Sequence, residues 1–410
     1  MSNKFLVTES PGWVADGLIT EAQRQALLAR HPPGVVPVVG LLPLLGSALV
    51  GLSLLSLVAA NWQNLAVPLR LALLLGSVAA AFGAGNYFRA RGNRSLGHGL
   101  LALGLVGVGA NVFLISQLFS QLAAYEDSGL LAWVAVGVAI TLGYRSRLLA
   151  LTTVLAAAVA QTYVAFGLDA YSYGVAALTA GGLGWFWWRR PDALLGSVLA
   201  TGLLWQAGVW VAFSHSKITW FFAPAMLIYA LGDWQPDRPA SRALQGPPLV
   251  AAYLFALGLA LFGQTDEYAG LLRPPLLPFL AALGLVFALS LAGKRAHRRL
   301  ATAPDWLLLL PGYYLPGGLP LAIATIVVLY AHAGAVLARA GQDAEQLALG
   351  TVLFVVATMV AFFKLTWAFL DKSLFFLLGG VLLLGLSWFL RRRNAKLLKT
   401  SAPQPAQSAP

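Results

Sequence analysis

The chain has 410 residues, of which 59% are hydrophobic and only 10% are charged, and it contains no cysteine. This composition excludes an ordinary soluble globular protein, and the missing cysteines exclude disulfides, thiolate metal sites and cysteine nucleophiles. The net charge of +12 comes from basic residues in short segments between apolar runs. That distribution is typical of membrane topology and not of nucleic-acid binding, so we expect no nucleic-acid partner.

Residues 1–34 are predicted to form a small cytosolic helix-turn-helix cap ahead of the first apolar run. Thr20 and Gln23 have capping-box spacing, which predicts a helix over residues 21–30. Two prolines follow this stretch and end the helix. The cap could rest on the membrane face, or it could bind a partner.

Apolar runs recur through the rest of the chain, each long enough to cross a hydrocarbon core of roughly 30 Å. The predicted crossings lie near residues 38–60, 67–88, 98–119, 128–144, 148–166, 170–188, 192–213, 217–234, 248–263, 273–293, 302–315, 319–338, 346–364 and 371–390. We therefore predict an all-α fold, a polytopic integral membrane helical bundle of about 14 transmembrane helices. The expected parts are an N-terminal transmembrane unit (35–234), a C-terminal transmembrane unit (235–393) and a disordered cytosolic tail (394–410).

The predicted loops alternate in charge along the chain. Basic loops, such as the one with Arg145, alternate with acidic ones, such as the one with Asp169. By the positive-inside rule the basic loops and both termini are cytoplasmic, which predicts a multi-pass membrane protein. This parity requires the short, proline-broken segment 302–315 to cross. Tryptophans near predicted ends, Trp133 and Trp187 among them, are expected to be interfacial anchors.

Amide side chains inside apolar helices are the first candidates for function. The candidate binding residues are Asn111, Gln117, Gln121, Gln161 and Gln206. The first three share one helix face with Gly104 and Gly107, so they could bond across a close helix pair or line a substrate path. We expect that face to be buried in protein, and we expect Gly107→Leu to harm folding more than Leu105→Ala.

Ionisable residues are scarce in the predicted crossings. Asp233 lies at a predicted end, and His332 stands alone in its crossing. Proton- and sodium-coupled carriers usually need buried carboxylates or unwound helices, so such coupling is disfavoured. The strongest basic loop is expected to contact anionic lipid headgroups through Lys294, Arg295, Arg298 and Arg299.

Two functions from different classes remain open. Because the soluble segments are short and catalytic motifs are missing, we expect a non-enzymatic protein that binds or moves an amphiphilic or lipid-linked molecule, or that scaffolds an envelope complex. The alternative is a membrane enzyme acting on a lipid-linked substrate at the outer face, where two loops carry the acidic residues Glu126, Asp127, Asp266 and Glu267. The five histidines lack metal-ligand spacing, so we expect no metal and no cofactor.

Several stretches of the N-terminal part carry a resemblance to a known family: WVADGLITEAQRQAL, Asn61-Trp62, GANVFLISQLF, GLLAW and RSRLLAL. Together they are similar to a bacterial family of predicted membrane proteins known as domain of unknown function 2157. The stretch LTWAFLDKSLFFLLGGVLLLGLSWFLRRR, with Lys372-Ser373, resembles the companion family 4401. The resemblance implies an integral inner-membrane protein and brings no established activity or site.

Overall fold

The computed structural model describes residues 10–30, 62–119, 126–263, 272–309, 314–315, 318–341, 343–366, 377–382 and 384–385. The secondary structure in these ranges is helical throughout. Nine of the described helices are long and apolar enough to cross a membrane, as expected of a polytopic helical membrane protein. The predicted crossing 38–60, most of 371–390 and the C-terminal tail lie outside the described residues.

The described helices follow the predicted crossings closely, with the differences at their ends. In chain order they are α1 (Glu21–Arg30), α2 (Val67–Ala90), α3 (Arg94–Leu118), α4 (Glu126–Tyr144), α5 (Arg147–Gly167), α6 (Tyr173–Ala177, a π-helical segment Leu178–Leu183, and Gly184–Arg189), α7 (Ala193–Phe213), α8 (Phe222–Trp234, after the 3-10 turn Ile218–Phe221), α9 (Arg238–Phe262), α10 (Leu276–Ala296), α11 (Leu319–Ala340) and α12 (Ala344–Thr366). A 3-10 helix, Leu300–Leu309, lies between α10 and α11.

The chain divides into two compact units, residues 1–73 and 74–410. In the first unit, Thr20 and Gln23 form the predicted capping box. The Gln23 backbone N–H donates to Thr20 Oγ1 at 3.2 Å, and the Thr20 backbone N–H donates to Gln23 Oε1 at 2.9 Å. Helix α1 follows over the predicted residues.

The second unit contains two main hydrophobic cores. One is centred on α3 to α7 and includes Leu105 and Leu199. The other is built from α8 to α12 and the 3-10 helix, and includes Phe279 and Leu329. Helix α8 contributes to both cores, which places it between the two parts of the bundle.

Two of the expected interfacial tryptophans are core residues instead. Trp133 is 6% exposed, and its indole N–H donates to the Leu105 carbonyl of α3 at 2.6 Å. Trp187 is 2% exposed and donates to the Asp192 carbonyl at 3.0 Å. The expectation of interfacial anchoring is therefore wrong for these two, because each indole has a carbonyl partner within the bundle.

The loops with most of the basic residues meet at one end of the bundle, which we call the basic end. Contacts in and next to these loops join the neighbouring segments: Arg147 pairs with Asp192 at 3.2 Å, Ser197 donates to the Ala243 carbonyl at 3.1 Å, and Arg242 lies 3.8 Å from Asp343. The opposite end contains, among other residues, the C-terminus of α9 and the N-terminus of α10. The basic loops thus gather on one side, as the alternating charge predicted.

The 3-10 helix and the residues after it connect the two ends of the bundle. Thr302 accepts a hydrogen bond from Lys294, near the C-terminus of α10, at 2.7 Å. Tyr314 donates to the carbonyl of Pro274, just before the N-terminus of α10, at 2.9 Å. Because α10 has 21 residues and is about 30 Å long, Thr302 and Tyr314 contact opposite ends of this helix. That the proline-broken segment crosses a membrane, as the predicted parity requires, stays a prediction.

Candidate functional site

A group of buried polar and ionisable side chains lies in the C-terminal part of the bundle, and we call it the buried polar cluster. Four elements each contribute two members: Tyr229 and Asp233 on α8, Ser290 and Lys294 on α10, Thr302 and Asp305 on the 3-10 helix, and His332 and Arg339 on α11. The two members of each pair are three, four or seven residues apart. They therefore project from one face of their helix.

Lys294 and Asp233 form the ion pair at the centre of this cluster. Lys294 Nζ lies 2.9 Å from Asp233 Oδ1, and both side chains are 1% exposed. The ammonium also donates to the Tyr229 hydroxyl at 2.8 Å and to Thr302 Oγ1 at 2.7 Å, so its three protons all have acceptors. Ser290 donates to the other Asp233 oxygen at 2.5 Å. Such full satisfaction is what buried charges need.

The Tyr229 hydroxyl links this ion pair to a second carboxylate, Asp305. It donates to Asp305 Oδ2 at 2.9 Å. The other oxygen, Oδ1, lies 2.6 Å from the Arg339 guanidinium and 3.4 Å from His332 Nε2. The Arg339 contact is a close ion pair, and the His332 contact lies beyond the usual hydrogen-bond length. The other ring nitrogen of His332, Nδ1, has no hydrogen-bond partner among the described residues.

The charges of the cluster balance. Two carboxylates face Lys294 and Arg339, so the formal charge is zero when His332 is neutral. Asp305 is 3% exposed and His332 is 4% exposed, so these charges have little access to water. A balanced set is the arrangement that a desolvated interior tolerates best.

An apolar cavity of about 210 Å³ lies next to the cluster, deeper in the bundle. Its lining residues are Phe222, Phe255, Ala256, Leu259, Leu308, Leu309, Leu315, Ala324, Thr325 and Val328. Phe222 and Thr325 lie seven residues before Tyr229 and His332 on the same helices, a distance of about 10 Å along the axis. The cavity therefore lies on the side of the cluster that faces away from the basic end.

A larger and more open cavity of about 600 Å³ adjoins the first one toward the opposite end. Its walls come from the C-terminus of α7, the turn before α8, and α9, and they include His215 and Ser216. Phe222 and Phe255 line both cavities. Their rings meet edge to face with centroids 4.7 Å apart, so this aromatic pair separates the two spaces.

The predicted amide line is only partly buried. Asn111 is 8% exposed, and its amide donates to the Leu74 carbonyl of α2 at 2.9 Å, so it bonds across a helix pair as expected. Gln117, one residue before the end of α3, is exposed, and the expectation of burial is wrong for it. Gln121 lies outside the described residues.

The other two candidate amides have backbone and hydroxyl partners. With its amide oriented to satisfy both atoms, fully buried Gln161 donates to the Ser172 carbonyl at 3.0 Å and accepts from the Ser172 N–H at 3.2 Å. Gln206 donates to Thr179, in the π-helical segment of α6, at 3.1 Å. Tyr171, in the loop before α6, donates to the Gln206 carbonyl at 3.4 Å. Burial, with a smaller contribution from a neighbouring tyrosine, raises the pKa of Tyr171 to about 12, which keeps this donor protonated.

Of the four outer-face acidic residues, Asp127 is the one whose side chain the structure describes. Asp127 is exposed in the first turn of α4, whereas the Glu126 side chain, Asp266 and Glu267 lie outside the described part of the chain. Within that part, no group of three or more histidine, cysteine, aspartate or glutamate residues could hold a metal ion. The alternative of an outer-face enzyme stays a prediction.

The basic loop differs from the expectation of four exposed headgroup contacts. Lys294 is wrong as a headgroup contact, because α10 extends to Ala296 and carries the lysine into the bundle. Arg299 donates to Ser241 at 2.8 Å, and burial together with nearby arginines lowers its pKa. Arg295 and Arg298 are exposed.

The expectation of an interior without ionisable groups is also wrong. Asp233, Lys294 and Arg339 each lie in the last turn of a helix, where the sequence places them at a membrane surface. Their side chains instead turn toward the 3-10 helix and its Asp305. The signal that could have found them is the helical spacing of the pairs on α8, α10 and α11, read together with the lone His332.

Residues 11–150 match the family described as "Predicted membrane protein (DUF2157)". The match confirms the N-terminal resemblance over 140 of the 410 residues, about a third of the chain. The resemblance of the C-terminal part to the companion family 4401 stays a prediction. No curated protein and no solved structure matches the chain.

The DUF2157 match ends near the start of α5. The members of the buried polar cluster run from Tyr229 to Arg339, and both cavities are lined by residues beyond 200. The candidate site therefore lies entirely in the part of the chain outside the family match.

Proposed function

We propose that this protein is a non-enzymatic, multi-pass protein of the bacterial inner membrane that binds an amphiphilic or lipid-linked molecule. The observation that carries the proposal is the apolar cavity in the C-terminal part of the bundle. Among the described lining residues, the one hydroxyl belongs to Thr325 and already donates to the Leu321 carbonyl at 2.7 Å, so the described walls offer mainly hydrocarbon contacts. A cavity of about 150 Å³ with such walls can hold benzene, so about 210 Å³ suits a segment of acyl chain.

The backbone around the cavity supports the same function. Leu308 and Leu309 line it from the 3-10 helix, which contains Pro304. Irregular backbone at membrane depth is tolerated where it is buried in protein or lines a cavity. Short, proline-interrupted segments of this kind are the usual pointer to binding sites in transport proteins.

The larger cavity suits the polar end of the same molecule. It adjoins the apolar cavity at the Phe222–Phe255 pair and includes His215 and Ser216, which offer hydrogen-bonding groups beside apolar walls. A ligand with its headgroup here and its chain past the aromatic pair would occupy both spaces. This division of polar and apolar contacts is typical of sites for amphiphiles.

The proposal includes the orientation of the bundle in the membrane. The basic end faces the cytoplasm by the positive-inside rule, with about 14 crossings and both termini inside. The larger cavity then opens toward the outer leaflet. Exposed Arg295 and Arg298 contact anionic headgroups of the inner leaflet.

Photolabelling tests the proposal. A fatty acid with a diazirine in its chain and an alkyne handle is added to the protein in native membranes, irradiated and mapped by mass spectrometry. We expect labelled peptides from α8, α9 and α11 that include the cavity-lining residues. Ala324→Phe places a phenyl ring in the cavity and should abolish this labelling.

The matched control is Ile323→Phe, which adds a similar ring to an adjacent residue that is 44% exposed and does not line the cavity. It should leave the labelling of the lining peptides unchanged. Equal labelling of these peptides in the two variants would contradict the proposal.

A further inference from the structure

The buried polar cluster forms one continuous path of close contacts between ionisable groups. From Asp233 it passes to Lys294 at 2.9 Å, to the Tyr229 hydroxyl at 2.8 Å and to Asp305 at 2.9 Å. It ends at His332, whose Nε2 lies 3.4 Å from Asp305. Each of these groups can hold or pass a proton, and such series inside membrane bundles are typical of proton relays.

We propose that the cluster is a proton-binding site, in which His332 takes up and releases one proton beside the carboxylate of Asp305. Ordinary imidazole changes charge closer to neutral pH than any other side chain does. This inference goes beyond the binding of an amphiphile, because a proton site can operate whether or not the cavity is occupied.

The surroundings of His332 leave it available for a proton. Its side chain is 5% exposed, and Nε2 faces the Asp305 carboxylate at 3.4 Å, whereas Nδ1 has no hydrogen-bond partner among the described residues. Buried polar atoms are normally bonded, so an imidazole with this single, long contact is an exception that calls for an explanation. A proton on this ring turns the 3.4 Å contact with Asp305 into a buried ion pair.

The charged and titratable groups around His332 come from several elements. Asp305 faces it from the 3-10 helix, and Arg339, two turns along α11, shares the same carboxylate oxygen. From α9, the Tyr253 ring lies 6.3 Å away between centroids, with its hydroxyl bonded to the Leu353 carbonyl.

Tyr229, Asp233 and Lys294 face the site from α8 and α10, through Asp305. Helix α12 packs against α11, and its ionisable residues lie toward its two ends: Glu345 and Lys364. Asp305 is therefore the one carboxylate in direct contact with His332 among the described residues.

Uptake of a proton changes the formal charge of the cluster from zero to +1. His332 and Arg339 then compete for the carboxylate of Asp305. Asp305 lies on the 3-10 helix, and this helix type has less favourable hydrogen-bond geometry than an α-helix. Removing the carboxylate should weaken proton binding, and removing the competing guanidinium should strengthen it.

The test is a pH titration of the histidine rings in the whole protein. The chain is labelled with ¹⁵N-histidine, reconstituted in nanodiscs of phosphatidylethanolamine and phosphatidylglycerol, and measured by solid-state NMR from pH 9 to pH 5. The chain has five histidines, and His332→Gln assigns the relevant signal by its loss. If His332→Gln does not fold, a second sample in which the other four histidines are replaced by glutamine gives the same assignment.

We expect the His332 signal to pass from neutral imidazole to imidazolium within this range. Asp305→Asn should move the midpoint down by about one pH unit, a tenfold weaker proton affinity, and Arg339→Gln should move it up. His297→Gln, at the C-cap of α10, is the control and should leave the midpoint unchanged. A His332 ring that stays neutral over the whole range would overturn the proposal, and so would a midpoint that neither Asp305→Asn nor Arg339→Gln moves.

Discussion

The Lys294 ammonium lies 2.9 Å from the Asp233 carboxylate, and each of the two side chains is 1% exposed. Desolvation of two charges is unfavourable, and the attraction between them offsets it only when further hydrogen bonds satisfy both groups. Tyr229 and Thr302 supply acceptors to the lysine, and Ser290 supplies a donor to the aspartate. The stability of the pair therefore depends on α8, α10 and the 3-10 helix together.

Removal of one partner of this pair should be strongly destabilising. Lys294→Met leaves the Asp233 carboxylate buried without a cation, and we expect a loss of about 3–5 kcal/mol in the free energy of unfolding. Lys294→Met combined with Asp233→Leu should lose less than the sum of the two single changes. Thermal unfolding of the purified protein in one detergent gives the comparison.

Arg295→Met is the matched control, since it removes a basic side chain from the next residue, which is exposed. Its effect should stay within about 0.5 kcal/mol. Similar melting temperatures for Lys294→Met and Arg295→Met would show that the buried ion pair is not what holds these helices together.

Gly109 on α3 is a position where the packing leaves no room for a side chain. A Cβ there would overlap the Trp133 ring, whose indole bonds α3 at Leu105. Gly109→Ala should cost about 1–3 kcal/mol through overpacking. Gly99→Ala, on the same helix with open space around it, should be neutral or slightly stabilising in the same unfolding measurement. An equal effect of the two changes would contradict the Trp133 packing.

Two other changes on α3 compare a closely packed glycine with a buried leucine. A Cβ at Gly107 would meet Val78 Cγ2 at 3.0 Å, and the expectation that Gly107→Leu harms folding more than Leu105→Ala stays a prediction. Leu105 is completely buried in the first core, and its truncation to alanine should cost about 2–5 kcal/mol.

Gln161 is a buried amide with structural hydrogen bonds, whereas Gln117 is exposed. Gln161→Leu removes both bonds to the Ser172 backbone and leaves a buried N–H and carbonyl without partners, so we expect a loss of about 1–3 kcal/mol. Gln117→Leu changes an exposed residue and should have little effect on the melting temperature. Equal melting temperatures of Gln161→Leu and Gln117→Leu would contradict the structural role of Gln161.

Much of the fold follows from local pattern. The crossings are predicted by apolar length, and the capping box at Thr20 and Gln23 predicts α1. The predicted crossing begins at residue 248 and misses the start of α9, which lies before Pro247 and Pro248. The helix instead continues through them from the N-cap at Asp237, whose side chain accepts from the Ala240 N–H at 3.0 Å.

The site is less predictable, because its burial is a tertiary property. The predicted crossing ends at residue 293, which leaves Lys294 in a loop, whereas α10 continues to Ala296 and carries Lys294 into the bundle. Asp305 lies on a segment whose 3-10 conformation has no strong sequence signal. The cavity depends on how the Phe222 and Phe255 rings meet, which no local pattern of either helix specifies.

The proposed orientation can be tested with single cysteines, since the natural chain has none. Asp127→Cys and Arg298→Cys replace exposed residues at the opposite and the basic end, respectively. A membrane-impermeant maleimide added to spheroplasts should label the first and not the second, and should label both after lysis. Labelling of Arg298→Cys in intact spheroplasts would reverse the proposed topology.

The most direct measurement of the central claim is a cryo-EM map of the protein in nanodiscs of its native lipids, inspected for non-protein density in the apolar cavity. The account predicts elongated density between Phe222, Phe255 and Leu309 that continues past the aromatic pair toward His215. The same map of Ala324→Phe should lack it. A well-resolved cavity that is empty in the natural protein would contradict the binding of an amphiphile at this site.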